Sequence, residues 1–294
     1  MEPLDIGRPC GCLGAGPAVW REAGYTGRRC GCGLVYADPA PPVAAAAAEL
    51  HFDGYYAFSA ERRLDWIERW CRRGRLLEVG PGPGHLLAAA RRRGFTIAGV
   101  DPSPASARRI RERLGVDVEL ATIETSRLPD RAFDVVVHVD LLAHFADPVH
   151  ALRAMARRLA PGGHLCFEVS LLGGVSPLWY RATGRVGFPE HRWLFSQDAL
   201  DRVLARAGLR RVGLERFSLA AAIGLIAARR AAGPLARRLA GRPAAAGDGL
   251  PPPQNAAHRL YERALAGLRY AVGAHLPAIG PQAVFVAARP EETS

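Results

Sequence analysis

The chain has 294 residues, of which 49% are hydrophobic and 23% are charged, and this balance excludes a disordered chain. Its formal net charge is +11, arising from arginine alone because the sequence contains no lysine. The arginines are scattered in pairs and triplets without interleaved aromatic residues, so we do not expect nucleic acid as a partner.

The longest apolar run, at residues 219–228, is too short to span a bilayer. The first residues contain no apolar core of the kind that signal peptides have, so we expect a cytoplasmic protein. The positive charge leaves peripheral contact with an anionic membrane open as an alternative, and the sequence carries no signal for an oligomeric state.

The chain begins with a segment rich in cysteine, glycine and proline at residues 1–42, which shows little helical periodicity. Residues 43–73 follow as a helical linker or cap, in which Leu64, Ile67 and Trp70 recur at helical spacing. We expect the first segment to form a small ribbon and the second to pack against the domain that follows.

From Arg75 onward, short apolar runs alternate with helical patterns, which is typical of a parallel sheet covered by helices on both faces. The predicted strands are residues 75–79, 95–100, 116–120, 133–139, 162–170, 209–217 and 282–290. The predicted helices between them are residues 84–93, 104–114, 148–159 and 196–208. We therefore predict an α/β fold with a Rossmann-like, seven-stranded, mostly parallel sheet whose core spans residues 74–218.

A helical insert at residues 219–277 separates the last two predicted strands, and residues 278–294 form the last strand and a tail. The insert is rich in alanine and arginine and is interrupted by a Gly- and Pro-rich stretch. We expect its helices to pack on the flank of the domain. The alternatives are a lid over a bound substrate and a surface that contacts a membrane or a second subunit.

Three alternate glycines, Gly80, Gly82 and Gly84, stand between the first predicted strand of the core and its helix. Glycine lets the backbone bend tightly and lets a ligand approach it closely. Asp101 ends the next strand, where a carboxylate can accept hydrogen bonds from ribose hydroxyls. The spacing is E-x-G-x-G-x-G from Glu78, not the G-x-G-x-x-G of dinucleotide-binding proteins, and this favours a ligand with an amino group over a pyrophosphate.

The ordered motifs of residues 75–170 resemble those of the class I S-adenosylmethionine (SAM)-dependent methyltransferases. The resemblance rests on LLEVGPGPGHLL, GVDPS, the H-x-x-D-P segment after the fourth core strand and the L-x-P-G-G turn before the fifth. It implies that Glu78 lies near the amino group of SAM, that the glycine loop borders its methionine and ribose, and that Asp101 holds the ribose hydroxyls.

The same resemblance implies further cofactor-binding positions. Those bordering the adenine are Pro102, Ser103, Thr122, Ile123 and Glu124, and those lining the floor near the methyl group are His138, Val139 and Asp140. Plain core packing is the alternative for Ile123 and Val139. Tyr55 and Tyr56 are candidates to cover the SAM site from the N-terminal side.

Methyl transfer needs an aligned nucleophile, and a general base only where that nucleophile must lose a proton. The candidate bases are His191, His144 and His138. We favour His191, because it lies on the segment that walls the acceptor pocket in this family and because histidine titrates near neutral pH. For His144 a structural hydrogen bond is the favoured role, and Ala143 replaces the glutamate with which some relatives bind a metal there.

Two cysteine pairs, Cys10 with Cys12 and Cys30 with Cys32, provide four thiolates of the kind that hold a tetrahedral zinc ion. The segment RRCGCGLVYADPAPP resembles the zinc-ribbon lead-in of a bacterial methyltransferase subfamily. Those relatives carry C-x-x-C, whereas both pairs here are C-x-C, and the shorter spacing is expected to strain the two turns. Structural Zn²⁺ is the prediction, with free thiols as the alternative.

The sequence therefore predicts an enzyme that transfers a methyl group from SAM to a small-molecule acceptor, with oxygen marginally favoured over nitrogen or carbon. The alternative is a non-catalytic protein that binds SAM or a nucleotide and uses its Cys-rich end as an interaction module.

Overall fold

A computed structural model describes residues 8–42, 53–172, 190–228, 256–276 and 282–290. The predicted insert is described at residues 219–228 and 256–276, and the rest of it lies outside the described residues. Among the described residues, no helix is long and apolar enough to cross a bilayer.

The N-terminal ribbon is an antiparallel sheet made of β1 (Ala18–Glu22), β2 (Tyr25–Arg29) and β3 (Val35–Asp38). Ala23 and Gly24 join the first two strands, and both have positive φ, as a type I′ hairpin turn requires. A fourth strand, β9 (Trp193–Leu194), adds to the free edge of β3. The ribbon is thus bound to a segment more than a hundred residues away in the chain.

The main sheet has seven strands and confirms the predicted fold class. Its strands are β4 (Arg75–Val79), β5 (Thr96–Val100), β6 (Val118–Glu119), β7 (Phe133–Val139), β8 (Leu159–Leu171), β10 (Leu209–Ser218) and β11 (Gln282–Pro290). They lie in the order β10-β11-β8-β7-β4-β5-β6, and only β11 runs antiparallel to its two neighbours. The carboxyl ends of β4, β5, β6 and β7 therefore meet along one edge, which is where ligands bind in open α/β sheets.

Seven α-helices lie within the described residues in addition to the helical residues 220–228. They are α1 (Asp53–Ile67), α2 (His85–Arg92), α3 (Pro104–Leu114), α4 (Pro148–Arg158), α5 (Gln197–Arg206), α6 (Ala256–Gly267) and the short α7 (Gly273–His275). A five-residue π-helical turn, Leu268–Val272, joins α6 to α7.

Local sequence signals determine where several of these helices begin. Ser103 caps α3 by accepting the Ser106 N–H, and Pro104 stands at the first helical position, where its missing N–H costs nothing. Asp147 caps α4 and Ser196 caps α5 in the same way. These three capping side chains explain why the predicted starts of α3, α4 and α5 agree with the structure to within a residue.

Alternation along the strands divides the core between the two faces of the sheet. Leu77 and Val136 face α4 and α5, whereas their neighbours Leu76 and Val135 face α1 and α2. All four side chains are fully buried, as the period-two pattern of a sheet covered on both faces requires.

Candidate active site

The glycine turn between β4 and α2 forms the centre of the candidate site. Gly80, Gly82 and Gly84 all have positive φ, at 63°, 48° and 77°, a region that other L-residues rarely adopt. A Cβ on Gly80 would lie 2.5 Å from Leu141, whereas a Cβ on Gly82 would meet nothing within 4 Å. The turn is therefore packed tightly on one side and opens on the other, where a ligand can approach the backbone.

Asp101 follows β5 directly beside this turn. Its Oδ1 accepts the Ser103 N–H at 2.8 Å and its Oδ2 lies 3.4 Å from the Gly82 nitrogen. Burial raises the pKa of the carboxyl group, against the two backbone N–H groups that lower it. The carboxylate is thus fixed in orientation by the loop and retains lone pairs for a ligand hydroxyl.

Glu78, the acid two residues before the first glycine, lies inside the protein with only 4% of its surface exposed. Burial raises the pKa of its carboxyl group to about 8, although Arg63 and the Leu87 N–H lower it. Its Oε2 has no hydrogen-bond partner among the described residues. Because Oε2 has no partner within the described part of the protein, Glu78 can accept a hydrogen bond from the amino group of a ligand, and a positively charged amino group there would favour release of the Glu78 proton.

The residues predicted to border an adenine follow β5 and β6 at the same edge of the sheet. Pro102 and Thr122 are exposed, Ser103 and Glu124 are partly exposed, and Ile123 is 1% exposed. Exposure leaves the first four free to contact a ligand by their side chains, whereas Ile123 can do so only by its backbone.

Leu120 is an apolar residue of this region that sequence reasoning missed. It follows β6 directly and exposes 58% of its surface. The Asp101 N–H donates to the Glu119 carbonyl at 3.0 Å, so Leu120 stands next to the end of β5. The predicted strand at residues 116–120 included Leu120, whereas β6 ends at Glu119 and leaves Leu120 at the edge of the sheet.

The end of β7 brings Asp140 to the floor of the site. Asp140 has a φ of 53°, and its N–H donates to the Glu168 carbonyl at 2.9 Å. Its carboxylate lies 3.6 Å from the Arg269 guanidinium and 3.5 Å from the Ser170 hydroxyl. A left-handed non-glycine residue is strained, and such strain is often found at functional sites.

His138 and Val139 precede Asp140 on the same strand. His138 is fully buried and stacks on Phe167 with ring centroids 4.7 Å apart. Burial lowers the pKa of His138 to about 3, and neither ring nitrogen has a hydrogen-bond partner among the described residues. A methyl acceptor cannot reach a fully buried imidazole, and this argues against His138 as the base. Val139 is half-buried and is the last residue of β7.

His144 and His191 form a pair, although 47 residues separate them in the chain. Their ring centroids lie 4.8 Å apart, and both side chains are partly exposed. The His144 Nδ1 lies 2.8 Å from the Glu190 carbonyl oxygen, which can only accept a proton. Nδ1 therefore carries the hydrogen, and Nε2 of the neutral ring is left with a lone pair.

A buried ionic cluster beside Asp140 was not predicted from the sequence. Glu168 on β8 is 1% exposed and accepts hydrogen bonds from Arg63 Nε at 2.6 Å and from Arg269. The Tyr270 hydroxyl lies 3.2 Å from both Glu168 and Arg63, and Arg269 donates to the Tyr55 hydroxyl at 2.9 Å. The cluster joins α1, β8 and the π-helical turn of the described insert next to the candidate site.

Electrostatics within this cluster favour its ionised form. Burial by itself raises the pKa of Glu168, but the guanidinium groups of Arg269 and Arg63 outweigh it, so that the pKa is lowered. The pKa of Arg63 is raised in turn, since Glu168 outweighs the effect of burial. The two guanidinium groups are thus held charged by Glu168 inside the protein.

Two tyrosines of α1 lie at this side of the site. Tyr55 belongs to the ionic cluster, and Tyr56 stacks on His85 at the start of α2 with ring centroids 6.1 Å apart. Burial raises the pKa of Tyr56 to about 12. Tyr56 therefore lies next to the helix that follows the glycine turn, and the Tyr55 ring contacts that of Tyr56 with centroids 5.6 Å apart.

The four cysteines of the ribbon converge on one point. The sulfur atoms of Cys10, Cys12, Cys30 and Cys32 all lie within 4.8 Å of one another, and no disulfide joins them. The C-x-C spacing does not keep the sulfurs apart. Gly11 lies between the first pair and Gly33 directly after the second, and they adopt φ values of 75° and 84° that glycine readily allows.

The dimensions of this cluster suit a tetrahedral metal. Zinc–sulfur bonds of about 2.3 Å place two thiolates about 3.8 Å apart, and the Cys10 and Cys30 sulfurs lie 3.9 Å apart. Burial raises the pKa of Cys10 to about 11 and that of Cys32 to about 12. By contrast Cys166 is fully buried in the core, and Cys71 packs against it partly exposed.

Comparison with known proteins identifies relatives of the central part of the chain. A family profile described as "Methyltransferase domain" matches residues 55–213, more than half of the sequence. A ubiquinone biosynthesis O-methyltransferase from Alkalilimnicola ehrlichii is 37% identical over 116 residues, which are 36% of this chain and 47% of the relative. The protein of the same name from Pseudomonas entomophila is 36% identical over 114 residues, 36% of this chain and 49% of the relative. The matched region thus spans about half the length of these curated relatives.

Solved structures share the fold at low sequence identity. A geranyl diphosphate methyltransferase in complex with SAM superposes with a TM-score of 0.51 and 16% identity, covering 80% of this chain and 85% of the other. The MccD protein gives a TM-score of 0.53 and 13% identity, covering 79% and 98%. Together with the family match and the glycine turn beside Asp101, these findings confirm that the chain belongs to the class I SAM-dependent methyltransferases.

Proposed function

We propose that this protein transfers the methyl group of SAM to a small-molecule acceptor, with an oxygen atom as the favoured nucleophile. The observation that carries the proposal is the open glycine turn next to two acids of different character, the fixed Asp101 and the buried Glu78. The curated proteins that match part of this chain are named O-methyltransferases, which supports oxygen over nitrogen or carbon as the methylated atom.

In this proposal the SAM molecule lies along the carboxyl ends of β4, β5, β6 and β7. Glu78 faces its amino group, and Asp101 accepts hydrogen bonds from its ribose hydroxyls. The adenine lies among residues that follow β5 and β6, namely Pro102, Ser103, Leu120, Thr122, Ile123 and Glu124. His138, Val139 and Asp140 form the floor, where His138 contributes packing and backbone.

SAM supplies an electrophilic methyl group bonded to a positively charged sulfur. An acceptor oxygen attacks this carbon with a lone pair, the carbon–sulfur bond breaks, and its electrons remain on a neutral thioether. The protein must align the acceptor with that bond and exclude water. The buried cluster of Arg63, Glu168 and Arg269 supports this by holding α1 and the described insert against the site.

Proton removal from the acceptor hydroxyl is assigned to the histidine pair. The Glu190 carbonyl holds the hydrogen on Nδ1 of His144, so Nε2 is ready to accept a proton. His191 lies against the same ring and was favoured from the sequence as the base. The hydrogen bond shifts our preference to His144, with His191 bordering the acceptor.

The ribbon in this proposal holds a structural zinc ion through Cys10, Cys12, Cys30 and Cys32. The convergence of the four sulfur atoms and the 3.9 Å separation of two of them support this assignment. Four protein ligands leave no open position on the metal, so the ion does not contact the substrate and takes no direct part in the bond changes of methyl transfer.

Methyl-labelled SAM incubated with a panel of phenols, carboxylic acids and amines tests the function. We expect label in a product of the wild type, and a His144→Gln variant that turns over about 10²- to 10⁴-fold more slowly with unchanged SAM affinity. His150→Gln, which alters an exposed histidine on α4, is the matched control and should behave as the wild type.

Calorimetric titration with SAM separates the proposal from its alternatives. Binding of SAM without turnover of any acceptor would favour the non-catalytic binding protein. Binding of a nicotinamide dinucleotide in place of SAM would refute the assignment of the glycine turn.

A further inference from the structure

The Cys-rich ribbon is physically continuous with the segment that carries His191. Strand β9 pairs with β3 through Val35 opposite Leu194 and Tyr36 opposite Trp193. The Ala37 N–H donates to the Arg192 carbonyl at 3.2 Å, and the Arg192 guanidinium donates to the Pro41 carbonyl. Residues 192–194 are therefore held by the ribbon as its fourth strand.

A second connection begins at one of the cysteines themselves. The Ser196 hydroxyl donates to the Cys32 carbonyl and also accepts the Ala199 N–H at 3.1 Å as the cap of α5. A Cβ on Gly33 would lie 2.9 Å from the Ser196 side chain, so the backbone at Gly33 packs directly against Ser196. The turn that carries Cys32 thus fixes the start of α5, directly after β9.

The same segment holds the histidine pair from its other side. The Arg192 N–H donates to the Ala143 carbonyl at 2.8 Å, and the Trp193 indole N–H donates to the Phe145 carbonyl at 2.8 Å. These two bonds lie on either side of His144, whose Nδ1 bonds the Glu190 carbonyl. The backbone around residues 190–193 therefore sets both the position and the tautomer of His144.

We infer that the four-cysteine ribbon is a positioning device for His144 and His191, and that the metal it binds holds those histidines in their working geometry. A metal would join the turn of Cys10 and Cys12 to that of Cys30 and Cys32, and so fix the edge on which β9 lies. Without it, four neutral or repelling thiols would hold these two turns together only by packing. The inference rests on the proposed function in so far as it treats the pair as part of the acceptor side.

The SAM side of the site has supports of its own. The Gly80 N–H donates to the Val100 carbonyl at 2.8 Å, and Asp101 is fixed by the Ser103 N–H. These contacts lie within β4, β5 and their loops. Loss of the metal should therefore disturb the histidines and leave SAM binding intact.

The experiment compares zinc-loaded full-length protein with protein stripped by a chelator, and with Cys12→Ser, which removes the most exposed of the four thiols. Cys71→Ser is the matched control, since it makes the same chemical change outside the cluster. Histidine ring NMR reports whether Nδ1 of His144 carries its hydrogen, calorimetry gives the SAM affinity, and the methyl-transfer assay separates kcat from KM.

We expect stripping and Cys12→Ser to abolish the Nδ1–H signal of His144 and to lower kcat about 10- to 100-fold, the range for lost outer hydrogen bonds. SAM affinity and the Cys71→Ser variant should be unchanged, and added zinc should restore only the stripped wild type. The inference is overturned if the protein binds no metal, if the His144 signal survives stripping, or if SAM affinity falls in parallel. A metal-dependent His144 signal in a protein that methylates nothing would refute the proposed function alone.

Discussion

Glu78 gives the sharpest quantitative test of this site, because its side chain is buried and no described residue places a counter-ion within hydrogen-bonding distance of it. Burial raises its pKa to about 8 in the folded protein, from an ordinary value of 4.5. Between these two values the folded protein binds a proton that the unfolded chain has lost. The contribution of Glu78 therefore lowers the free energy of unfolding as the pH rises from about 4.5 to about 8.

Glu78→Gln removes this proton linkage and keeps an oxygen for the Leu87 N–H. At 1.36 kcal/mol per pKa unit, the variant should be more stable than the wild type by about 3 kcal/mol at pH 7 and by less than about 1 kcal/mol at pH 5. Urea unfolding at both pH values measures the difference. Glu112→Gln, a change of an exposed carboxylate on α3, is the matched control and should show no such pH dependence.

The same substitution should have the opposite effect on the ligand. If Glu78 meets the amino group of SAM, the wild type must release its proton on binding, so SAM affinity should increase from pH 6 to about pH 8, above which the amino group of SAM itself loses its positive charge. Glu78→Gln should bind more weakly and without this dependence. A stability difference between variant and wild type that is equal at pH 5 and pH 7 would refute the reasoning, since Glu78 would then be ionised in the folded protein.

Three further substitutions test other parts of the site. His138→Phe should stabilise the protein most at acid pH, by about 2 kcal/mol at pH 5 from proton linkage. The reason is that only the unfolded chain protonates this histidine just below pH 6.5. An equal gain in the free energy of unfolding at pH 5 and pH 7.5, measured by urea unfolding, would contradict the burial argument. Glu168→Gln should destabilise by about 3 to 5 kcal/mol, because it leaves two buried guanidinium groups without their carboxylate, and thermal unfolding that matches the wild type would exclude this role. Asp101→Asn should weaken SAM binding about 10- to 100-fold in calorimetry by replacing a charged acceptor with a neutral one, and unchanged affinity would remove Asp101 from the cofactor site.

The sequence was sufficient for those features that a few neighbouring residues determine. The positions of the seven strands along the chain follow from apolar runs. The starts of α3, α4 and α5 follow from their capping side chains. The glycine turn is local as well, since positive φ at three alternate positions is a property that glycine alone readily allows.

Partners that meet across long stretches of chain were decided only by the tertiary structure. Glu168 lies 105 residues from Arg63 and 101 from Arg269, and no periodicity relates them. Strand β9 has two residues, too few to give a pattern, and exists because β3 offers it a free edge. The protonation of Glu78 likewise depends on the depth of the side chain, which a sequence motif does not encode, because it is the surrounding packing that removes water from a carboxyl group.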